Sequence, residues 1–566
     1  MKSLLLSLAA LTFSFSVSAQ TPKLARQGTA TQLIVSGKPY LILGGELSNS
    51  AASSAKDIET AFLKLHRMGL NTVFTPAYWD LIEPAEGTFD FTLIDKAINE
   101  ARKDSLHIVI LWFGAWKNSM SCYTPEWFKK DYRRFPRAYT AEGKPMEIAS
   151  CFSDNVLKAD QKAFARLMNH IKDTDASTGT VLMMQVENEI GMLESARDHS
   201  ETANKLFDSE VPSPLISYLK KYKKTLHPDM LHQWGKNGYK TKGTWTDIFG
   251  NDVYTDEIFM AYYYAQYVEK LAKTARGIYN IPLYVNAAMN SRNRKPGEYP
   301  SAGPLAHLID VWHCGAPSID ILAPDIYDTG FKIWASKYKR HNNPFFTPEV
   351  RLSEDCGVRA FYVFGALDGI SFSPFAIDES GNMPKLEKAY TKLKELTPLI
   401  TANQGTGNMR GLLFDKDDKE SILDIDDTQF TCRHYFTLPW DARAKDGSTW
   451  PEGGGLIIRL ASNDYIIAGS GIVVSFDKAD KQKSQTEKVL GEDGFIQAGG
   501  KNNVSGTWEK GASRIGIASV DEVNINADGT LKYVRRLNGD QDHQGRHARI
   551  SVDDFEILHV KLYEYK

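Results

Sequence analysis

From Leu41 to about Phe375 the chain alternates short apolar runs with longer stretches in which apolar residues recur every three to four positions. The short runs read as buried strands and the 3.6-residue period as amphipathic helices, and their alternation is the pattern of parallel βα units. Eight strands are expected: LILGGEL (41–47), NTVFTPAYW (71–79), HIVILWFGAW (107–116), TVLMMQVENE (180–189), PLYVNAAMN (282–290), IDILAPDIYD (319–328), PFFTPEV (344–350) and AFYVFGALDGISF (360–372). Between them SSAKDIETAFLKLHRMG (53–69), with Ile58, Phe62, Leu63, Leu65 and Met68 at helical spacing, and FTLIDKAINEARKDS (91–105) read as helices. Eight units predict an α/β fold, a (β/α)8 TIM barrel, whose functional groups sit at the carboxyl ends of the strands. A doubly wound open sheet would also carry function there, but no Gly-rich phosphate loop follows any of these strands.

The stretch from Glu189 to Ile281 is too long for one crossover helix and holds amphipathic pieces at 214–226 and 260–279. Insertions at that end of a barrel shape access to the site. After about residue 395 the period changes to two, in GLIIRL (455–460), DYIIAGSGIVVSF (464–476), RIGIASVDEVNI (514–525), LKYVRRL (531–537) and the closing DDFEILHVKLYEY. A smaller all-β, sandwich-like domain is expected there, with PEGGG (451–455) as a hairpin loop. The expected organisation is a signal peptide over 1–19, a catalytic barrel domain over 24–395 and the β domain over 396–566. Lys2, the apolar Leu4 to Val17 and the small-residue Val17-Ser18-Ala19 carry the signal reading, hence an exported protein, periplasmic or secreted. No other segment approaches the length needed to cross a bilayer.

Charge and cysteine content narrow the chemistry. The 67 Lys+Arg against 70 Asp+Glu, with no long basic run, point away from nucleic acid and anionic membranes. A carbohydrate partner suits an aromatic content of 11%, although most aromatics serve the core. Five scattered cysteines form no disulfide framework and no ligand spacing, and without CxxC or HExxH no metal or other cofactor is expected. Oligomeric state stays open.

Polar residues gather at the strand ends: Glu46, Tyr78-Trp79, Trp116 and Asn118, Asn188-Glu189, Asp325 and Tyr327, and Glu349. Glu349 alone reads as a rim glutamate paired with Arg351, which would hold it ionised. Taken with Glu189 it forms a pair of carboxyls able to hydrolyse a glycosidic bond, one as acid and one as nucleophile. Glu46 reads as a sugar ligand or a rim ion pair, Tyr327 as a donor to the nucleophile or core packing, Trp112 and Trp116 as packing or sugar platforms. Asp325 reads as structural, and Glu83 and Glu86 as turn formers.

QVENEIG (185–191) resembles the QVENEYG motif of glycoside hydrolase family 35 β-galactosidases, and GLNTVFTPAYWDLIEPAEGTFDF (69–91) is similar to a second motif of that family. The likeness covers roughly residues 30–375. It implies Glu189 as acid/base, Glu349 as nucleophile and Asn188 as donor to the sugar 2-hydroxyl; Glu46, Trp116, Asn118 and Tyr327 are taken as further substrate contacts from their places at the strand ends. The implied activity is a retaining exo-β-galactosidase acting on terminal β-galactosyl residues, such as those of xyloglucan-type oligosaccharides. Pro76, Asn118 and GGELSNS (44–50) depart from the family pattern at sugar-contact positions. A β-glucosidase, β-mannosidase or endo-glucanase, or a non-catalytic carbohydrate-binding barrel, are the alternatives.

Overall fold

The computed structural model describes residues 20–566 except 439, 446–449 and 480–512. The expected signal peptide over 1–19 lies outside the described residues. Eight parallel strands close a barrel: β1 (Ile42–Glu46), β2 (Thr72–Tyr78), β3 (His107–Phe113), β4 (Val181–Gln185), β5 (Leu283–Ala288), β6 (Ile321–Ile326), β7 (Thr347–Val350) and β8 (Ser371–Pro374). They pair in chain order, with β8 returning to β1. A three-stranded antiparallel sheet, Lys23–Gln27, Ala30–Val35 and Lys38–Tyr40, precedes the barrel.

Seven of the expected strands are present within a few residues of their expected bounds. The eighth differs: Gly357–Leu367 is a helix, and only Ser371–Pro374 forms the strand. An apolar run buried on nearly every side carries no period to tell helix from strand. This helix is buried all round because the barrel lies on one side and the C-terminal sheet on the other. Asp368, at φ 49°, ends it and turns the chain into β8. The inserted region supplies five helices, the longest being Val253–Ile278.

Beyond the helix Pro384–Asn403 the chain forms two antiparallel sheets. Six strands run in the spatial order Met409–Phe414, Gly453–Ala461, Asp464–Ser470, Glu556–Tyr565, Arg514–Ile525 and Leu531–Leu537. Four more run Glu420–Ile425, Thr428–His434, Ile472–Lys478 and Ala548–Ile550. Leu412, Ile457, Ile467, Phe430, Val474 and Leu558 fill a common core between them. The single run DYIIAGSGIVVSF is two strands, parted at Gly471, whose φ of 70° suits a glycine. PEGGG is not a hairpin loop. Gly453–Gly455 open a strand, because a Cβ at Gly454 would stand 2.7 Å from the Val358 carbonyl oxygen on the barrel helix. Arg359 on that helix, itself buried, ties the two parts together through a bidentate ion pair with Glu452 at 2.6 and 2.9 Å.

Candidate active site

Glu46 is the last residue of β1, and Glu349 stands on β7 directly beside Asp325 of β6. The chain leaving β4 runs through Glu187, Asn188 and Glu189, all buried. In a regular strand residues 187 and 189 would share a face. Here Glu187 and Glu189 both take left-handed backbone, φ 59° and 46°, and the two carboxyls part company. Glu187 meets Asp160 on the helix Asp154–Asp175, outside the barrel wall, and accepts the Trp116 backbone N–H at 2.9 Å. Glu189 faces the cluster at the barrel mouth.

At that mouth, carboxylate oxygens of Glu189, Asp325 and Glu349 lie within 4.8 Å of one another. Asn118 donates to Glu189 Oε2, and Tyr327 donates its hydroxyl proton to Glu349 Oε1. The Glu189 backbone N–H donates to Asn286 Oδ1 at 2.9 Å, and Asn286 Nδ2 donates to Asp325 Oδ2 at 2.7 Å. Asn188 donates its backbone N–H to the Trp116 carbonyl at 3.3 Å. Its side-chain nitrogen and oxygen are buried and have no hydrogen-bond partner among the described residues. A buried amide without partners costs stability unless something else satisfies it, so it is well placed to meet ligand hydroxyls.

Burial and mutual repulsion raise the carboxyl pKa values in this cluster. Burial, then the Glu189 charge, pushes Glu349 from 4.5 up to about 7, against the opposing pull of Lys117 and the Tyr327 hydrogen bond. Glu46 is raised well above the ordinary range by burial and by Glu349. Asp325 is raised by burial and by both catalytic candidates. Lys117, 4% exposed, is the cation that opposes the rise at Glu46 and Glu349. Arg351 was expected in that role, but its side chain is exposed and the carboxylate feels Lys117 instead. Arg351 lies just past the end of β7 and is exposed to solvent, whereas the buried Lys117 lies in the turn after β3.

The remaining expected residues are placed as follows. Asn118 is exposed, at φ 48°, and touches Glu189. Tyr327 touches Glu349, and Asp325, read as structural, accepts a hydrogen bond from Asn286 and also stands in the carboxyl cluster. Trp116 does not offer its ring to the cleft: it is wholly buried, edge-on to Tyr264 and Tyr267, and serves through its backbone. Trp112 is core, its Nε1 donating to Asp160 at 2.9 Å. Glu83 is a turn former, accepting from Trp79 Nε1 and the Gly87 N–H at 2.9 and 2.7 Å, and Glu86 pairs with Arg134. Lys117, Asn286 and Asp160 were not singled out from the sequence. A lone amide in the apolar PLYVNAAMN was the available signal for Asn286, and Lys117 adjoins the singled-out Asn118.

A family model described as β-galactosidase, that of glycoside hydrolase family 42, matches residues 50–260, and a domain of unknown function, DUF5597, matches residues 386–549. A β-galactosidase of Xanthomonas manihotis is 28% identical over 194 residues, which are 32% of this chain and 28% of that protein. The chain thus spans well under half the length of the curated relative it matches. The structure is similar to the β-galactosidase of Marinomonas ef1, with 11% identity and TM-score 0.43 over 63% of this chain and 60% of that one. It is also similar to a catalytic mutant of Gan42B, a GH42 β-galactosidase from G. stearothermophilus, with 15% identity and TM-score 0.44 over 66% and 58%. The matched stretch includes QVENEIG but stops short of Glu349. The likeness to family 35 drawn from the two motifs therefore gives way to family 42: over residues 50–260 the barrel is similar to the β-galactosidase glycoside hydrolases of that family.

Proposed function

We propose that this chain is a retaining exo-β-galactosidase in which Glu189 is the acid/base and Glu349 the nucleophile. The observation that carries the reading is the approach of the Glu189 and Glu349 carboxylate oxygens to within 4.8 Å. Retaining glycosidases hold their two carboxyls about 5–5.5 Å apart, whereas inverting ones leave about 6.5–9.5 Å for a water. Glu349 attacks the anomeric carbon while Glu189 protonates the departing oxygen, and Glu189 then takes a proton from the water that releases the sugar. Tyr327 and Lys117 hold the attacking carboxylate in place and favour its ionised form. Asn188 offers its unpartnered amide to the sugar 2-hydroxyl, and Glu46 and Asn118 complete the polar wall. The loops after β4 and β5 are stitched by reciprocal backbone bonds between Met192 and Ser301, at 2.8 and 2.7 Å, which suits a walled pocket that takes a chain end.

A β-glycosidase of other specificity is the second reading, favoured by Pro76 and Asn118 at sugar-contact positions. A panel of nitrophenyl β-glycosides separates the two: the galactoside is expected to be turned over fastest. Proton NMR of the first product is expected to show β-galactose. Early α-galactose would remove Glu349 from the nucleophile role, and inertness toward every glycoside would leave the carbohydrate-binding reading.

A further inference from the structure

Glu187 is the carboxyl of QVENEIG that the proposed mechanism does not use. It is fully buried, as is Asp160. Asp160 Oδ1 accepts from Trp112 Nε1 at 2.9 Å and Oδ2 from the Tyr267 hydroxyl at 2.7 Å. Glu187 Oε2 accepts the Trp116 N–H, and the Ala115 amide also acts on this carboxyl, while Oε1 is buried and makes no well-formed hydrogen bond among the described residues. Two carboxyls in contact in a dry interior cannot both be ionised. One proton resolves the arrangement: carried on the orphaned Glu187 oxygen, it is donated to Asp160, whose other donors already solvate a negative charge.

We propose that Glu187 and Asp160 share one proton, and that this buried acid pair is a positioning device that locks the turns after β3 and β4 together so that Asn118 and Glu189 meet. The inference rests on the reading of the site as a glycosidase centre. Glu187 is the link between the two turns. Its carboxyl grips the Trp116 amide, two residues before Asn118, and its backbone leads directly into Asn188 and Glu189. Its left-handed backbone is of a kind that persists only where the surroundings hold it. The directions of the proton affinities agree: Glu187 is raised well above the ordinary range, by burial first and then by Asp160. Asp160 is raised by burial but pulled back by the bonds from Glu187, Tyr267 and Trp112. The other titratable groups packed there are Tyr264, Tyr267 and Cys151, all pushed up by burial and so neutral, with Asp198 the further charge acting on Tyr264 and Cys151.

The test uses the whole protein and the variants E187Q, E187A and D160N. Glutamine keeps the size, the neutral state and a donor toward Asp160, so E187Q is expected to keep kcat/KM within about threefold of wild type. E187A is expected to lose about 10- to 100-fold in kcat with KM little changed, the scale of a misplacement of about 1 Å. Infrared difference spectra between wild type and E187Q at neutral pH supply a readout that needs no substrate: one protonated-carboxyl band is expected to be lost in E187Q, while any bands of the barrel-mouth carboxyls remain. In D160N the band is expected to shift, because its acceptor has lost its charge. E187Q as damaged as E187A, a fully active E187A, or no carboxyl band lost in E187Q would each overturn the proposal. If the wild type turns over no glycoside, the proposed function fails, and the infrared comparison still decides the acid pair.

Discussion

Replacing Glu349 with glutamine is expected to make the protein more stable, and increasingly so as the pH rises. Glu349 is 5% exposed, and burial beside Glu189 lifts its pKa from 4.5 to about 7. An acid whose pKa is raised on folding favours its protonated form in the native state. Its contribution is fully present below the unfolded value, near 4.5, and is lost as pH climbs through the folded value, near 7. At about 1.36 kcal/mol per pH unit, the wild type forfeits about 3 kcal/mol between those limits. The E349Q variant has no such proton to lose, and its amide oxygen still accepts from Tyr327. It also relieves Glu46 and Asp325, both of which feel the Glu349 charge. Thermal unfolding of both proteins from pH 4.5 to 8 is the assay. The gap in Tm is expected to be small at the acid end, to open through pH 5–7 and to level off at several degrees above that. A gap that does not change with pH, or a variant less stable than wild type at pH 8, would refute the reasoning that the nucleophile candidate is held at the expense of the fold. The measurement does not depend on activity, which E349Q is expected to lack.

Lys117→Met removes the cation that opposes the pKa rise at Glu349; the acidic limb of kcat/KM is expected to move up by about one pH unit, with about tenfold lost on that limb and little above it. A loss equal at every pH would remove Lys117 from this role. Glu189→Gln is expected to cut turnover of galactosides with poor leaving groups by about 10²- to 10⁴-fold while sparing the first step on dinitrophenyl galactoside; a uniform loss over a leaving-group series would count against Glu189 as the acid. Chelators are expected to leave activity unchanged, since burial and repulsion favour protons on Glu46 and Asp325, in and beside the Glu189–Asp325–Glu349 cluster; loss with EDTA and recovery with a divalent ion would show that these carboxylates hold a metal.

The barrel was legible because buried parallel strands leave unbroken apolar runs, and the ends of those runs pointed to Glu46, Asp325, Glu349 and the pair Glu187 and Glu189. Helix Gly357–Leu367 was not, because contact with a second domain erased the polar face that marks a helix. Gly454 likewise looked like a loop residue, although its lack of a side chain serves the close approach of the barrel helix. Trp116 lies three residues beyond β3 and packs against Tyr264 and Tyr267 of the helix Val253–Ile278, since the sequence pattern does not fix which way the turn aims its ring.

What strand periodicity could not separate was Glu187 from Glu189, and only the motif resemblance chose Glu189. Strand periodicity treats the pair as equivalent, and only the left-handed turns at both residues send one carboxyl behind the wall and the other into the mouth. Non-glycine residues adopt that backbone rarely and at some cost, so neither glutamate is there for local propensity. The cost is met by contacts far away in the chain: Asp160 and the Trp116 amide for Glu187, Asn286 and Asn118 for Glu189. The same contacts fix where each proton can sit. Glu187 is enclosed with a single carboxyl partner, while Glu189 stands at the barrel mouth among carboxyls and beside the buried, unpartnered amide of Asn188. Two chemically identical side chains two residues apart thus acquire different surroundings from the turn between them, and the turn is itself a product of the barrel's long-range packing.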